Sequence, residues 1–248
     1  MHNFLRQSAY TDVYAGCGVA TGGRSAVVIA ADAESIGKLA PLCYFRNDSP
    51  WPFSGTVAVS LVSLASGKSK QLTVISAEIG GGGGTASVFC PNGEALLGST
   101  ASSATTCGNW TTLLSAVGCE PNTCYLDVRV EAGMSRDGLL YAHNEQLLAA
   151  PFQLQLPRIK LSVHVPTPAV ASDNSSVAVE VKADNTGVAA FVWLSTLAEG
   201  RFEPNGFMLA EGSKTIEFVP FGTPSHELVG LLQASVRVEH LAEHLVLS

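Results

Sequence analysis

The chain is short of charge, of basic clusters and of long apolar runs. Charged residues make up 14% of its 248 positions, with 14 Lys plus Arg against 21 Asp plus Glu. No Lys/Arg cluster occurs, so the electrostatic footprint of a nucleic-acid binder is missing. The apolar stretches fall far short of the roughly 20 residues that a membrane-spanning helix needs. The opening residues Met1–Ser8 lack the apolar region of a signal peptide. Catalytic and cofactor signatures are scarce too. No G-x-S-x-G and no C-x2-C is present, and no cofactor, metal, nucleic acid or membrane is expected as a partner.

Apolar material is plentiful, at 46% of the residues. A disordered chain would show the opposite balance. The length suits one large domain or two ordinary ones. All six cysteines (Cys17, Cys43, Cys90, Cys107, Cys119, Cys124) fall in the first half. Acceptor patterns for N-glycosylation occur at Asn47-Asp48-Ser49, Asn109-Trp110-Thr111 and Asn174-Ser175-Ser176. Together these favour the secretory pathway. A secretory chain without a signal peptide is reconciled if Met1 is not the true start and the chain is part of a longer precursor.

Period-two alternation dominates the pattern. It runs through Val57, Val59 and Leu61; through Leu126, Val128 and Val130; through Leu161, Val163 and Val165; through Val177, Val179 and Val181; and through Ala234, Val236, Val238 and His240. Such alternation marks half-buried antiparallel strands, and turn residues between them mark β-sandwiches. Trp110, Leu113, Leu114 and Val117 instead follow helical spacing, with Gly118 as the stop. Gly80–Gly84 and the Ser/Thr-rich 98–108 read as flexible loops. Prolines at 151 and 157 break ladder pairing and mark the boundary. The expectation is all-β: two tandem β-sandwiches over 19–156 and 157–248, preceded by a short helix and linker over 1–18.

Several groups could carry chemistry. A phosphate loop at Gly80–Gly84 would need a helix after it, and a strand-like run follows instead. His240 and His244 have metal-ligand spacing, but a strand end running into a solvated tail is expected there. Six cysteines allow fifteen connectivities. Pro121-Asn122 is turn chemistry, so a small Cys119–Cys124 disulfide loop is favoured over zinc. Asn144-Glu145 matches a glycosidase acid/base dipeptide, yet it reads as a polar turn and is rejected as catalytic. Asn109 either carries a glycan or caps the helix that follows. Phe191 and Trp193 share a strand face with either a core or a sugar-stacking role, and the core is expected.

One stretch is distinctive: Phe191-Val192-Trp193-Leu194, then Gly200-Arg201-Phe202, then Asn205-Gly206-Phe207, with Thr215–Phe218 as the next strand. This order resembles the last domain of a β-mannosidase, a glycoside hydrolase of family 2. The resemblance extends to Leu113–Val130, where larger members similarly show two cysteines before a strand, as Cys119 and Cys124 stand here. It reaches Met1–Tyr14, which is similar to the end of the catalytic barrel's last helix. Gly80–Gly84 and 98–108 depart from the pattern as loop insertions, and Glu203-Pro204 stands where the family usually has Ser-Asp.

The resemblance implies two Ig-like domains from a lysosomal or extracellular exo-enzyme that removes terminal β-linked mannose from glycans. It implies two barrel glutamates as acid/base and nucleophile, and neither position lies in this sequence. The expectation is therefore a non-catalytic C-terminal region, inactive alone, with the parent's barrel as partner in cis and glycan met only through the parent. The alternative is a stand-alone tandem Ig-like binding protein, including one for glycans.

Overall fold

A computed structural model describes residues 13–21, 24–26, 41–82, 87–91, 95–96, 107–135, 138–166, 176–184, 186–210 and 212–245. Two compact units divide the chain. One comprises Leu5–Ser63 and Lys68–Gln155; the other comprises Leu156–Ser248 with Leu64–Gly67.

The first unit contains β1 (Val13–Thr21), β2 (Arg24–Ala26), β3 (Pro41–Asn47), β4 (Phe53–Ser63), β5 (Ser69–Ile79), β6 (Ser87–Phe89), β7 (Ala95–Leu96), helix α1 (Trp110–Ser115), β8 (Cys124–Ser135) and β9 (Gly138–Leu147). One sheet has the order β2-β1-β3-β6-β7, the other β5-β4-β8-β9. Inward residues alternate as the sequence pattern requires. Val57, Val59 and Leu61 of β4 meet Leu126, Val128 and Val130 of β8 in one core with Phe45, Phe53 and Phe89. α1 closes that core with Trp110 and Leu114. Its start is fixed by Asn109, whose Oδ1 accepts the Thr112 N–H at 2.8 Å.

The expected short helix and linker over 1–18 is strand over its last six residues. Positions 13–18 belong to β1, where Val13, Ala15 and Cys17 alternate into the core and pair with β3. Residues 1–12 lie outside the described residues.

The second unit contains β10 (Leu161–His164), β11 (Val177–Ala183), β12 (Val188–Ser195), β13 (Gly200–Glu203), β14 (Phe207–Ala210), β15 (Ser213–Pro220), helix α2 (His226–Ser235) and β16 (Arg237–Glu239). The strands form sheets ordered β10-β11-β15-β13 and β14-β12-β16. The core gathers Val177, Val179, Val181, Val192, Leu194, Phe202, Phe207, Ile216 and Phe218.

Helix α2 overturns the strand reading of Ala234–His240. Ser225 caps it by accepting the Leu228 N–H at 3.1 Å, and Leu228, Val229 and Leu232 pack on the core. Ala234 and Ser235 finish this helix, so strand pairing begins only at Arg237.

Candidate functional site

The β3–β4 connection is held by a network of hydrogen bonds. Asn47 is fully buried at its base. Its Nδ2 donates to Trp51 O at 2.6 Å and to Gly80 O at 3.4 Å, while its Oδ1 accepts from Ser49 N–H at 3.0 Å and from Ser49 Oγ–H at 2.7 Å. Gly82 N–H donates to Ser49 O at 2.9 Å. Gly81 sits so close to the Pro50–Trp51 backbone that any Cβ would overlap it. On this base stand two exposed features. Trp51 is 41% exposed, and Arg46 and Asp48 form a surface ion pair at 2.5 Å.

Two sequence expectations change here. Asn47 is no acceptor for a glycan in the folded chain, because its Nδ2 is sealed inside and engaged by carbonyls. The Gly80–Gly84 run is not a loose hairpin over its first three residues, which are pinned against 49–51. Residues 83 and 84 lie outside the described residues, as does Asn174.

A second cluster lies on β8 and β9. Asp127 is buried and pairs in register with Glu145. His143 Nε2 lies 2.6 Å from Asp127 Oδ1, and Arg129 Nε donates to Asp127 Oδ2 at 2.9 Å. Glu145 Oε1 is 4.0 Å from His143 Nε2. Burial alone would raise the Asp127 carboxyl, but the hydrogen bonds and charges of His143 and Arg129 outweigh it and hold it below the ordinary carboxylate range. Burial, helped by the Glu145 and Asp127 charges, pushes the neighbouring Tyr125 far above an ordinary phenol. Both Asp127 oxygens are engaged, so the cluster acts as a satisfied ion network.

Asn144-Glu145 belongs to β9, not to a polar turn as expected. Successive strand residues face opposite ways. Asn144 is buried and donates to Tyr14 Oη at 2.8 Å and Ala15 O at 3.2 Å, while Glu145 stands on the His143 side. Asn144 is thus committed to β1 and Glu145 to the His143 cluster.

All six cysteines are paired. Cys119–Cys124 closes the turn at Pro121-Asn122 with Cα atoms 5.9 Å apart. Cys17–Cys43 joins directly opposed residues of β1 and β3, and Cys90, just after β6, is bonded to Cys107, three residues before α1.

In the second unit the distinctive sequence run forms one connected device. Asn205 Oδ1 accepts the Leu194 N–H at 2.8 Å, and its Nδ2 donates to Leu194 O at 3.1 Å. Gly206 takes φ +89°, a region glycine enters without steric cost, and its N–H donates to Val192 O at 3.0 Å. That turn delivers Phe207 into the core. Gly200 opens β13 opposite Pro220, and Arg201 pairs with Glu203 at 2.6 Å. Phe202 packs its ring 5.1 Å from that of Phe218.

Residues 155–244 match the family model Ig_mannosidase, an Ig-fold domain. The second unit thus has the Ig fold and is similar over these residues to the mannosidase-type Ig domain. Over 96% of its length the chain superposes on the β-D-mannosidase of Dictyoglomus thermophilum, with TM-score 0.57 and 16% identity, covering 22% of that chain. The exo-chitosanase CsxA of Amycolatopsis orientalis aligns over 81% of this chain and 24% of its own, with TM-score 0.44 and 12% identity. The chain thus spans about a fifth to a quarter of these structures. At such identities the likeness is one of fold. No curated protein matches in sequence.

Within the second unit two further expectations are corrected. Trp193 is not a core residue. Val192 and Leu194 take the core face of β12, and Trp193 lies opposite, half-buried, its ring 5.0 Å from that of His244. His240 is not part of a solvated tail. It is 1% exposed, with Nε2 donating to Ile159 O at 2.9 Å. His244 is held separately, near Glu239 at 3.7 Å, so the two histidines do not converge on a metal. Among the described residues no group of three or more His, Cys, Asp or Glu is placed to hold one.

Proposed function

We propose that this chain is a non-catalytic Ig-type region of a β-mannosidase-like glycoside hydrolase, working in cis beside that enzyme's catalytic barrel. The observation that carries the reading is the Ig_mannosidase match over 155–244, set on a fold that follows a β-mannosidase along nearly the whole chain. The two units brace the barrel, and glycan reaches them only through the parent enzyme, which removes terminal β-linked mannose. Three disulfides suit an oxidising, extracellular or lysosomal setting.

The interior of the units supports a bracing role. Asn205, Gly206, Phe202 and Phe207 are spent on holding β12 and filling the core. Glu145 and Asp127 share one histidine in an ion cluster rather than facing a sugar across an open gap. A retaining or inverting glycosidase needs two carboxylates on opposite sides of the scissile bond.

The test is an aryl β-mannoside assay of the purified 248-residue chain. No turnover above a mock preparation is expected. Turnover abolished by Glu145→Gln would overturn the reading.

A further inference from the structure

We propose that Cys119–Cys124 is a reversible redox site of the first unit, opened by a dithiol reductant and reclosed by a disulfide oxidant while the chain stays folded.

Access separates this bridge from the other two. Cys17, Cys43, Cys90, Cys107 and Cys124 are at most 5% exposed, whereas Cys119 is only partly buried against the core. Exchange requires a thiolate to reach a sulfur, so an incoming reductant meets this bridge from the Cys119 side. The closed loops differ as well. Cys119 and Cys124 stand 5 positions apart, against 26 for Cys17–Cys43 and 17 for Cys90–Cys107. A bridge across the shortest loop restricts the unfolded chain least, so the fold leans on it least.

The backbone keeps the two cysteines opposed without the bridge. Cys119 N–H donates to Leu114 O at 2.9 Å, at the end of α1. Cys124 opens β8 opposite Ser63 of β4. Between them, Thr123 N–H donates to Glu120 O at 3.0 Å, and Glu120 N–H donates to Thr123 Oγ1 at 2.9 Å. Gln155 N–H donates to Asn122 O at 2.8 Å and holds the tip of the same turn. The opened pair is therefore poised to reclose.

The exchange balances as follows. One thiolate of the reductant attacks Cys119 Sγ, the S–S bond breaks, and its electron pair leaves on Cys124 Sγ. The Thr123 hydroxyl lies 3.9 Å from that sulfur, beside the thiolate as it forms. The second thiol of the reductant then resolves the mixed disulfide on Cys119 and closes into its own disulfide. Two electrons and two protons pass from the dithiol to the cysteine pair.

The experiment equilibrates the full chain, disulfides intact, with graded ratios of reduced to oxidised dithiothreitol in the absence of denaturant. Free thiols are alkylated and located by peptide mapping. Cys119 and Cys124 should label together at a ratio about tenfold or more below that which opens the other four cysteines. Circular dichroism should stay unchanged at that ratio, and return to the oxidised reagent should restore the bridge. Thr123→Val loosens the turn, so its pair should open at a ratio about fivefold lower still, the weight of one hydrogen bond. A Cys119→Ser, Cys124→Ser double variant should fold with the other two bridges closed. If Thr123→Val fails to fold, the wild-type titration and the double variant still decide. Opening of all three bridges together, opening of another bridge first, opening only with loss of the folded signal, or failure of the double variant to fold overturns the site. An unchanged ratio for folded Thr123→Val overturns the part given to the turn.

Discussion

Ala189 and Val192 both face the core of the second unit although they stand three positions apart in one strand. Regular β-structure would put them on opposite faces. The register of β12 against β14 shifts between these two residues, and Phe191 takes φ +52° at the shift. A β-bulge of this kind inserts one residue and flips the alternation that follows. Val192 and Leu194 therefore fill the core, and Phe191 and Trp193 turn away from it.

The bulge fixes the order of two substitutions. Leu194→Ala should cost about 2–5 kcal/mol, as buried leucines do. Trp193→Ala, half-buried against His244, should cost clearly less. Chemical denaturation of the full chain, followed by a probe in the second unit, reads both. A larger loss from Trp193→Ala would restore that residue to the core.

Asn205 doubles as a strand partner for Leu194. Replacing it by Ala leaves Leu194 N–H and C=O without those bonds in a part-buried place. A loss of about 1–3 kcal/mol is expected for each group left unsatisfied, and faster amide exchange at Leu194 should accompany it. Unchanged exchange at Leu194 would show the amide to be dispensable.

Asn47 should be found unmodified in protein secreted from a glycosylating host, because its side chain is buried in the native loop. Asn109 uses only Oδ1 for its cap, leaving the Nδ2 that a glycan would take. Mass spectrometry of the two peptides distinguishes them. Asn109→Ala should also cost about 1 kcal/mol through loss of the cap. A glycan on Asn47 in folded protein would contradict the loop described above.

Asp127 predicts acid sensitivity of the first unit. Its folded carboxyl lies below the ordinary value, so its stabilisation is complete above the unfolded pKa of about 3.9 and is lost as pH falls through the lower folded value. Stability should therefore drop on acidification below about pH 4. Asp127→Asn should be less stable near neutrality and show a shallower acid limb. Parallel pH profiles for wild type and variant would count against the network.

Much of the fold was legible in periodicity. Val57, Val59 and Leu61, and likewise Val177, Val179 and Val181, face inward because period-two patterning has one buried outcome. Trp193 was misread because a bulge reverses parity without any proline or glycine at the bulge itself. Helix α2 was missed although Ser225 is a good cap, since the alternation of Ala234, Val236 and Val238 carries the strand pattern back into its last turn. The Cys17–Cys43 bridge depends on the β1–β3 register, which spacing does not encode. The Trp51 loop was hidden for a similar reason. Asn47-Asp48-Ser49 reads as a glycan acceptor, and only the return of Gly80–Gly82 to that loop turns it into a buried support.

The most direct measurement is capture of the native polypeptide with an antibody raised against this chain, followed by mass determination and an aryl β-mannoside assay. A polypeptide several times the 25.8 kDa of this chain, carrying β-mannosidase activity, is the expected result. A product of about 26 kDa without that activity would contradict the proposed place of these two units beside a catalytic barrel.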